Sequence, residues 1–173
     1  MYVEILILGF LRRGAMHGYE IKQAMEHVLA GAPVTNSQLY PTLKRFEEMG
    51  AVTREVIPQN GKPDRHQYRL TSGGAELLHD LLVNTPPEIV ARDREFYVRA
   101  AHFDLVSSRE RLALLNARKG ALTRRKDRVA GWAAGAWPQR VGQLRGHLLA
   151  EELAVIDAWI AEEMAPREEK DDE

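Results

Sequence analysis

After Gly50 the spacing of apolar residues changes, and that change limits the folds open to this chain. Before it, Leu39, Leu43 and Phe46 recur at the period of one helical face. After it, AVTREVI (51–57) is rich in β-branched residues and PQNGKPDR is dense in turn formers. HQYRLT (66–71) then places Tyr68 and Leu70 on one side and Gln67 and Arg69 on the other. Two short strands around an Asn60-Gly61 turn predict a β-hairpin with a basic tip, looser than a two-residue turn.

Three helices are expected ahead of the hairpin. Tyr2–Leu11 is apolar nearly all round and ends at Arg12, Arg13 and Gly14, which reads as a buried helix. Gly18–Leu29 carries Ile21, Met25, Val28 and Leu29 on one face. The third helix lies in NSQLYPTLKRFEEMG (36–50), capped at Asn36 or Ser37, and has Pro41 inside it. Helix, helix, helix, strand, strand is the order of a winged helix-turn-helix.

Thr71 should cap a fourth helix with Leu77, Leu78, Leu81 and Leu82, and Thr85-Pro86-Pro87 marks a boundary. Beyond it the pattern is helical: Glu88–Leu105, then a helix from a Ser107/Glu110 capping box to about Ala130. Gly131, Gly135 and Pro138 interrupt, and a last helix runs from about Arg140 to Met164. Its stripe of Leu149, Leu153, Ile156, Ile160 and Met164, with Val141, Leu144, Leu148, Val155 and Trp159 beside it, is wide enough to need a partner surface. The expected class is mainly α. It comprises an α+β winged helix-turn-helix domain over 1–84, a helical dimerisation and effector-binding region over 85–165, and an acidic disordered tail over 166–173.

Composition narrows the chemistry. With no cysteine, disulfides, thiolate metal sites and cysteine nucleophiles are excluded. The six histidines show no metal-ligand spacing, and no cofactor is implied. No run approaches the roughly 20 apolar residues of a membrane span, and the first residues lack a signal peptide's basic flank. A soluble, cytoplasmic protein without membrane contact is therefore expected. The formal net charge of −1 supplies no global basic field, so nucleic-acid binding would need a local patch.

Such a patch exists. At about 100° per residue, the exposed N-terminal half of the third helix presents Ser37, Gln38, Tyr40, Pro41, Thr42, Lys44 and Arg45, while Glu47 and Glu48 come only at its far end. Ser, Gln and Thr can read base edges, and Lys and Arg serve phosphate or guanine. Lys62 and Arg65 sit at the hairpin tip, with Arg54 and Arg69 along its strands. Thr35 to Leu70 holds six Lys or Arg against four acids. Each cation also has the ordinary reading of a solvated surface residue, Tyr19 that of a core tyrosine with a surface hydroxyl, and His17 that of a cap. Trp132, Trp137 and Trp159 read as packing residues.

Enzymatic readings fare worse. Asn60-Gly61-Lys62 lacks the rest of a phosphate-binding loop. The adjacent pairs Glu47-Glu48, Glu151-Glu152 and Glu162-Glu163 diverge on a helix and make poor acid/base couples. The chain reads as no enzyme.

MHGYEI (16–21), SQLYPTLKRFEEMG (37–50) and GKPDRHQYRLTSGG (61–74) together resemble the PadR family of bacterial transcriptional regulators, with Phe46 in place of the usual leucine. The helices from EFYVRAAHF through ELAVIDAWIAEE resemble, more loosely, the C-terminal region of longer members. The resemblance implies a homodimeric repressor on a pseudo-palindromic double-stranded operator, often released by a small aromatic or cationic effector. It assigns Tyr19, Ser37, Gln38, Tyr40, Lys44 and Arg45 to the DNA-facing surface and Lys62 and Arg65 to the wing. Leu149, Leu153, Ile156, Trp159 and Ile160 are the expected dimerisation residues. The rival reading is a winged helix that docks on protein and not on DNA.

Overall fold

The computed structural model of the chain describes residues 1–29, 31–58, 65–130 and 135–165, with only the backbone of Ala130. The Asn60-Gly61 turn, Lys62, Trp132 and the 166–173 tail lie outside the described residues. The fold is mainly α with one small antiparallel sheet. It divides into two compact units, Met1–Thr85 with Tyr97–Leu105, and Pro86–Phe96 with the chain from Val106 onward. The helix Asp93–Ala100 contributes residues to both.

In the first unit, α1 (Tyr2–Arg12), α2 (Gly18–Val28), α3 (Asn36–Glu48) and α4 (Ser72–Val83) surround a core of Ile5, Ile7, Leu8, Ile21, Met25, Leu39, Leu43, Phe46, Leu78 and Leu82. Five consecutive residues of α1, Ile5 to Gly9, are buried, as its all-round apolar sequence requires. Strands β2 (Val52–Ile57) and β3 (Arg65–Leu70) pair antiparallel from Val52↔Leu70 to Ile57↔Arg65. A third strand, β1 (Met16–His17), pairs with the other edge of β3 through Met16↔Tyr68 and His17↔Gln67. Two residues carry no readable period, so the sequence does not announce β1. Arg99 is fully buried and donates to the Leu81 carbonyl at 3.3 Å and the Thr85 hydroxyl at 3.0 Å. A guanidinium at the C-terminal end of α4 suits carbonyls that have no helical partner.

The second unit holds α5 (Pro87–Val90), part of α6 (Asp93–Ala100), α7 (Ser108–Ala130) and α8 (Ala136–Met164). The single helix expected over Glu88–Leu105 is instead α5, α6 and a 3-10 turn at Phe103–Leu105. Val90 and Phe96 are both 1% exposed, yet on one straight helix they would point about 120° apart around the axis. Breaking the helix lets both be buried. Pro138 does not interrupt α8, because its place in the first turn needs no intrahelical donor.

The helices α7 and α8 run antiparallel, linked by Arg111–Glu163 at 2.6 Å and Lys119–Asp157 at 2.7 Å. Between them Arg118 is 0% exposed; it pairs with Glu152 and Asp93, donates to the Ala91 carbonyl at 2.9 Å and lies over the Phe96 ring. The hydrogen bond from Arg125 holds the Asp93 carboxyl below its ordinary range; burial opposes this and Arg118 adds to it. Ile156 is buried, and Leu149, Leu153 and Ile160 share its face by helical spacing. Of the stripe expected to bind a partner, Ile156 is thus covered within the unit, Leu149, Leu153 and Ile160 are half-buried, and Met164 is exposed.

Gly74 tests the junction of the hairpin and α4. A Cβ there would overlap the Ala51 carbonyl oxygen and approach Leu70 Cδ1 at 2.6 Å, whereas at Gly73 the nearest atom is 3.8 Å away. Gly74→Ala is expected to cost about 1–3 kcal/mol or more in urea unfolding, and Gly73→Ala to be neutral or slightly stabilising. Equal effects would mean that the junction yields freely.

Candidate nucleic-acid interface

The surface of interest starts at the cap of α3. The Gln38 carboxamide oxygen accepts from the Thr35 backbone N–H at 3.2 Å, as in a capping box. The cap is therefore Thr35, the first of the three capping residues Thr35, Asn36 and Ser37 that the sequence offers, and Pro41 is the sixth helical residue. The helix continues through it to Glu48. The donor that proline lacks would have met the Ser37 carbonyl. Both residues are exposed, so water can serve that oxygen.

Ser37, Gln38, Tyr40, Pro41, Lys44 and Arg45 are exposed on one side of α3. Thr42 is not: it is buried, and its hydroxyl donates to the Gln38 carbonyl at 2.8 Å. It lies three residues after Leu39, inside the apolar stripe, so it cannot reach outward. Arg45 is held to α1 by an ion pair with Glu4 at 2.7 Å, and Lys44 stands 3.7 Å from Glu48. The latter pair is exposed and weak. Arg54 pairs with Glu47 at 3.0 Å, so Glu47 faces the root of the hairpin, while Glu48 stays beside Lys44. Arg65 and Arg69 make no ion pair among the described residues.

Tyr19, Tyr40 and Arg65, from three different elements, meet around a cleft of about 350 Å³ together with His17, His66 and Tyr68. Tyr19 is 64% exposed and its hydroxyl accepts from Gln23 Nε2 at 2.6 Å, so it is no core tyrosine. The ring of Tyr40 lies against Gly18, where a Cβ would stand 3.0 Å from its Cε1. A glycine at the start of α2 thus lets a half-exposed tyrosine of α3 lean across it. His17 caps α2, its backbone N–H donating to the Glu20 carboxylate at 2.7 Å. Its ring Nδ1 lies 3.2 Å from the His66 carbonyl, joining α2 to the hairpin. Sequence reading missed Gly18, His66 and Tyr68 as parts of this cleft. Their only signal was the proximity of HGYEI and HQYRL to residues already singled out.

Burial, partly offset by Arg54, raises the Tyr68 phenol above its ordinary 10.0. A phenol held neutral by the fold supports stability fully below its unfolded value, and the contribution is lost as pH rises toward the folded one. Stability is therefore expected to fall as pH rises past the ordinary tyrosine value of 10.0, and to fall less in Tyr68→Phe. Denaturant midpoints below and above that value check this; identical pH profiles would contradict it.

The family model of the transcriptional regulator PadR-like family matches residues 7–80. The negative transcriptional regulator PadR of Bacillus subtilis (strain 168) is 31% identical over 109 residues, 62% of this chain and 60% of the relative. The chain thus aligns with about three fifths of that protein's length. Among solved structures, Bacillus subtilis PadR in complex with operator DNA is similar over 94% of this chain and 99% of that one, with 22% identity and a TM-score of 0.47. A transcriptional regulator from Clostridium thermocellum is similar over 44% of this chain and 75% of its own, with 26% identity and a TM-score of 0.41.

Proposed function

With residues 7–80 matching the model of the PadR-like family of transcriptional regulators, we propose that this chain belongs to that family and is a homodimeric, sequence-specific DNA-binding regulator, a repressor relieved by a small-molecule effector. One observation carries the reading. The acid-free, exposed N-terminal half of α3 adjoins a cleft that adds Tyr19 of α2 and Arg65 of the hairpin. Ser37 and Gln38 offer groups for base edges. Arg65, with no acid partner among the described residues, and the tyrosine hydroxyls offer contacts to phosphate. The Bacillus subtilis relative is a negative regulator, which supports repression over activation.

Dimerisation rests on α8. Trp137, Val141, Leu144, Leu148, Val155 and Trp159 are all exposed there. From Trp137 to Val155 their spacings of four, three, four and seven residues trace a heptad seam, and Trp159 lies one residue past its next position. Of the residues first expected at the dimer face, Trp159 is exposed beside this seam, Leu149, Leu153 and Ile160 are half-buried, and Ile156 is buried. A second copy covering the seam would present two α3 helices to two half-sites about one DNA turn apart.

A gel shift with the gene's own upstream DNA, at two salt concentrations, tests the function. A specific shift that weakens steeply with salt is expected; no shift at the lower salt would leave a winged helix that docks on protein. Arg65→Ala should flatten the salt dependence by a slope of about 1 if it meets one phosphate. Val141→Asp with Leu144→Asp and Val155→Asp should yield a folded monomer in sedimentation that binds the same DNA at least about a hundredfold more weakly. A stable dimer would remove α8 from the interface.

A further inference from the structure

On the exposed side of α3, Arg45 is fixed by two contacts. Its Nη2 lies 2.7 Å from Glu4 Oε1 of α1, and its guanidinium lies 5.7 Å from the centroid of the Phe46 ring. Lys44, by contrast, stands 3.7 Å from Glu48 on its own helix, with both side chains largely exposed. Glu4 is anchored. The next residues of α1, Ile5 to Leu8, are buried in the core, and its second oxygen lies 3.0 Å from the Met1 amino group. The Glu4 side chain is 23% exposed against 51% for Arg45, so the carboxylate is the fixed partner and the arginine the more open one.

An arginine held by a carboxylate and a ring has already given up much of its rotamer freedom, so a contact to DNA costs it less order. Bidentate recognition of a guanine edge needs such a fixed fork. The same carboxylate offsets the charge of Arg45, and sequence-independent binding grows with the number of phosphates that cations neutralise. Glu4 therefore weakens attraction to any duplex while it favours the one geometry that a matching base pair accepts. We propose that Glu4, which lies outside α3 and the hairpin, is a specificity-determining positioning residue that holds Arg45 for a directed contact to one base pair of the operator. This role rests on the DNA-binding reading above.

Fluorescence anisotropy of the full chain on two labelled duplexes tests it: the gene's own upstream DNA, and a scrambled duplex of equal length and composition. The ratio of the two affinities is expected to fall about tenfold in Glu4→Gln, the low end of what one bidentate base contact is worth, with the scrambled duplex bound more tightly than by the wild type. In an Arg45→Ala background, Glu4→Gln should leave the ratio unchanged. Glu48→Gln removes the same charge from α3 without touching Arg45, and should tighten both duplexes in proportion. A ratio that Glu4→Gln leaves unaltered, that Glu48→Gln lowers as much, or that still falls in the Arg45→Ala background overturns the inference. Without DNA, NMR relaxation of the Arg45 Nε–H is expected to report a rigid side chain in the wild type and a mobile one in Glu4→Gln; equal mobility also overturns it. A wild type that binds both duplexes alike removes the reading of sequence-specific binding, and the role of Glu4 with it. A wild type that discriminates, with Glu4→Gln discriminating equally well, removes the role of Glu4 alone.

Discussion

The first unit turns on the hydroxyl of Thr71. It donates to the carbonyls of Gly50, at 2.7 Å, and Ala51, at 3.0 Å, and accepts from the Gly74 backbone N–H at 3.0 Å. The Thr71 backbone N–H adds a bond to the Ala51 carbonyl at 3.1 Å. One side chain thereby ties the end of α3, the first residue of the hairpin and the cap of α4. Gly50 makes this approach possible with φ +72, a conformation that L side chains rarely adopt. Every placement on the candidate surface follows from this knot. The direction in which α3 leaves it decides which residues face outward, and the hairpin leaving beside it brings Arg65 to the cleft with Tyr19 and Tyr40.

Charge is arranged differently in the two units. On and beside α3 the basic residues near the acids are paired, Arg45 with Glu4, Arg54 of β2 with Glu47 and, weakly, Lys44 with Glu48, so the surface gains direction more than net charge. In the second unit a fully buried arginine is placed between two carboxylates and a backbone carbonyl. A buried charge survives only when so surrounded. Because Arg118 takes up Asp93 and Glu152, other arginines of the same hairpin are left with open edges.

Much was legible before any coordinates. The change of period at Gly50, the apolar stripe of α3 and the Ser107/Glu110 box each describe a local rule, and each appears where the rule places it. The failures are of another kind. Thr42 was assigned outward because it is polar, although its position three residues after Leu39 already placed it inside. The Glu88–Leu105 pattern looks helical throughout, but the demand to bury both Val90 and Phe96 breaks it. Along α8 the sequence shows two apolar faces, and nothing in it tells that Ile156 is the residue buried within the unit.

By itself, then, the sequence determined what short-range chemistry determines: helix periods, caps, turns, the acid-free front of α3 and the family blocks around it. Tertiary structure alone decided which of two apolar faces of α8 stays exposed. It also decided that Gly18 lets Tyr40 lean against α2, and that the arginines of α7 and α8 converge on a recess. The reason is physical. Caps and periods arise between residues at most a few positions apart, whereas a cleft or an unpaired guanidinium depends on residues as distant as Asp93, Arg125 and Glu152, and only packing brings those together.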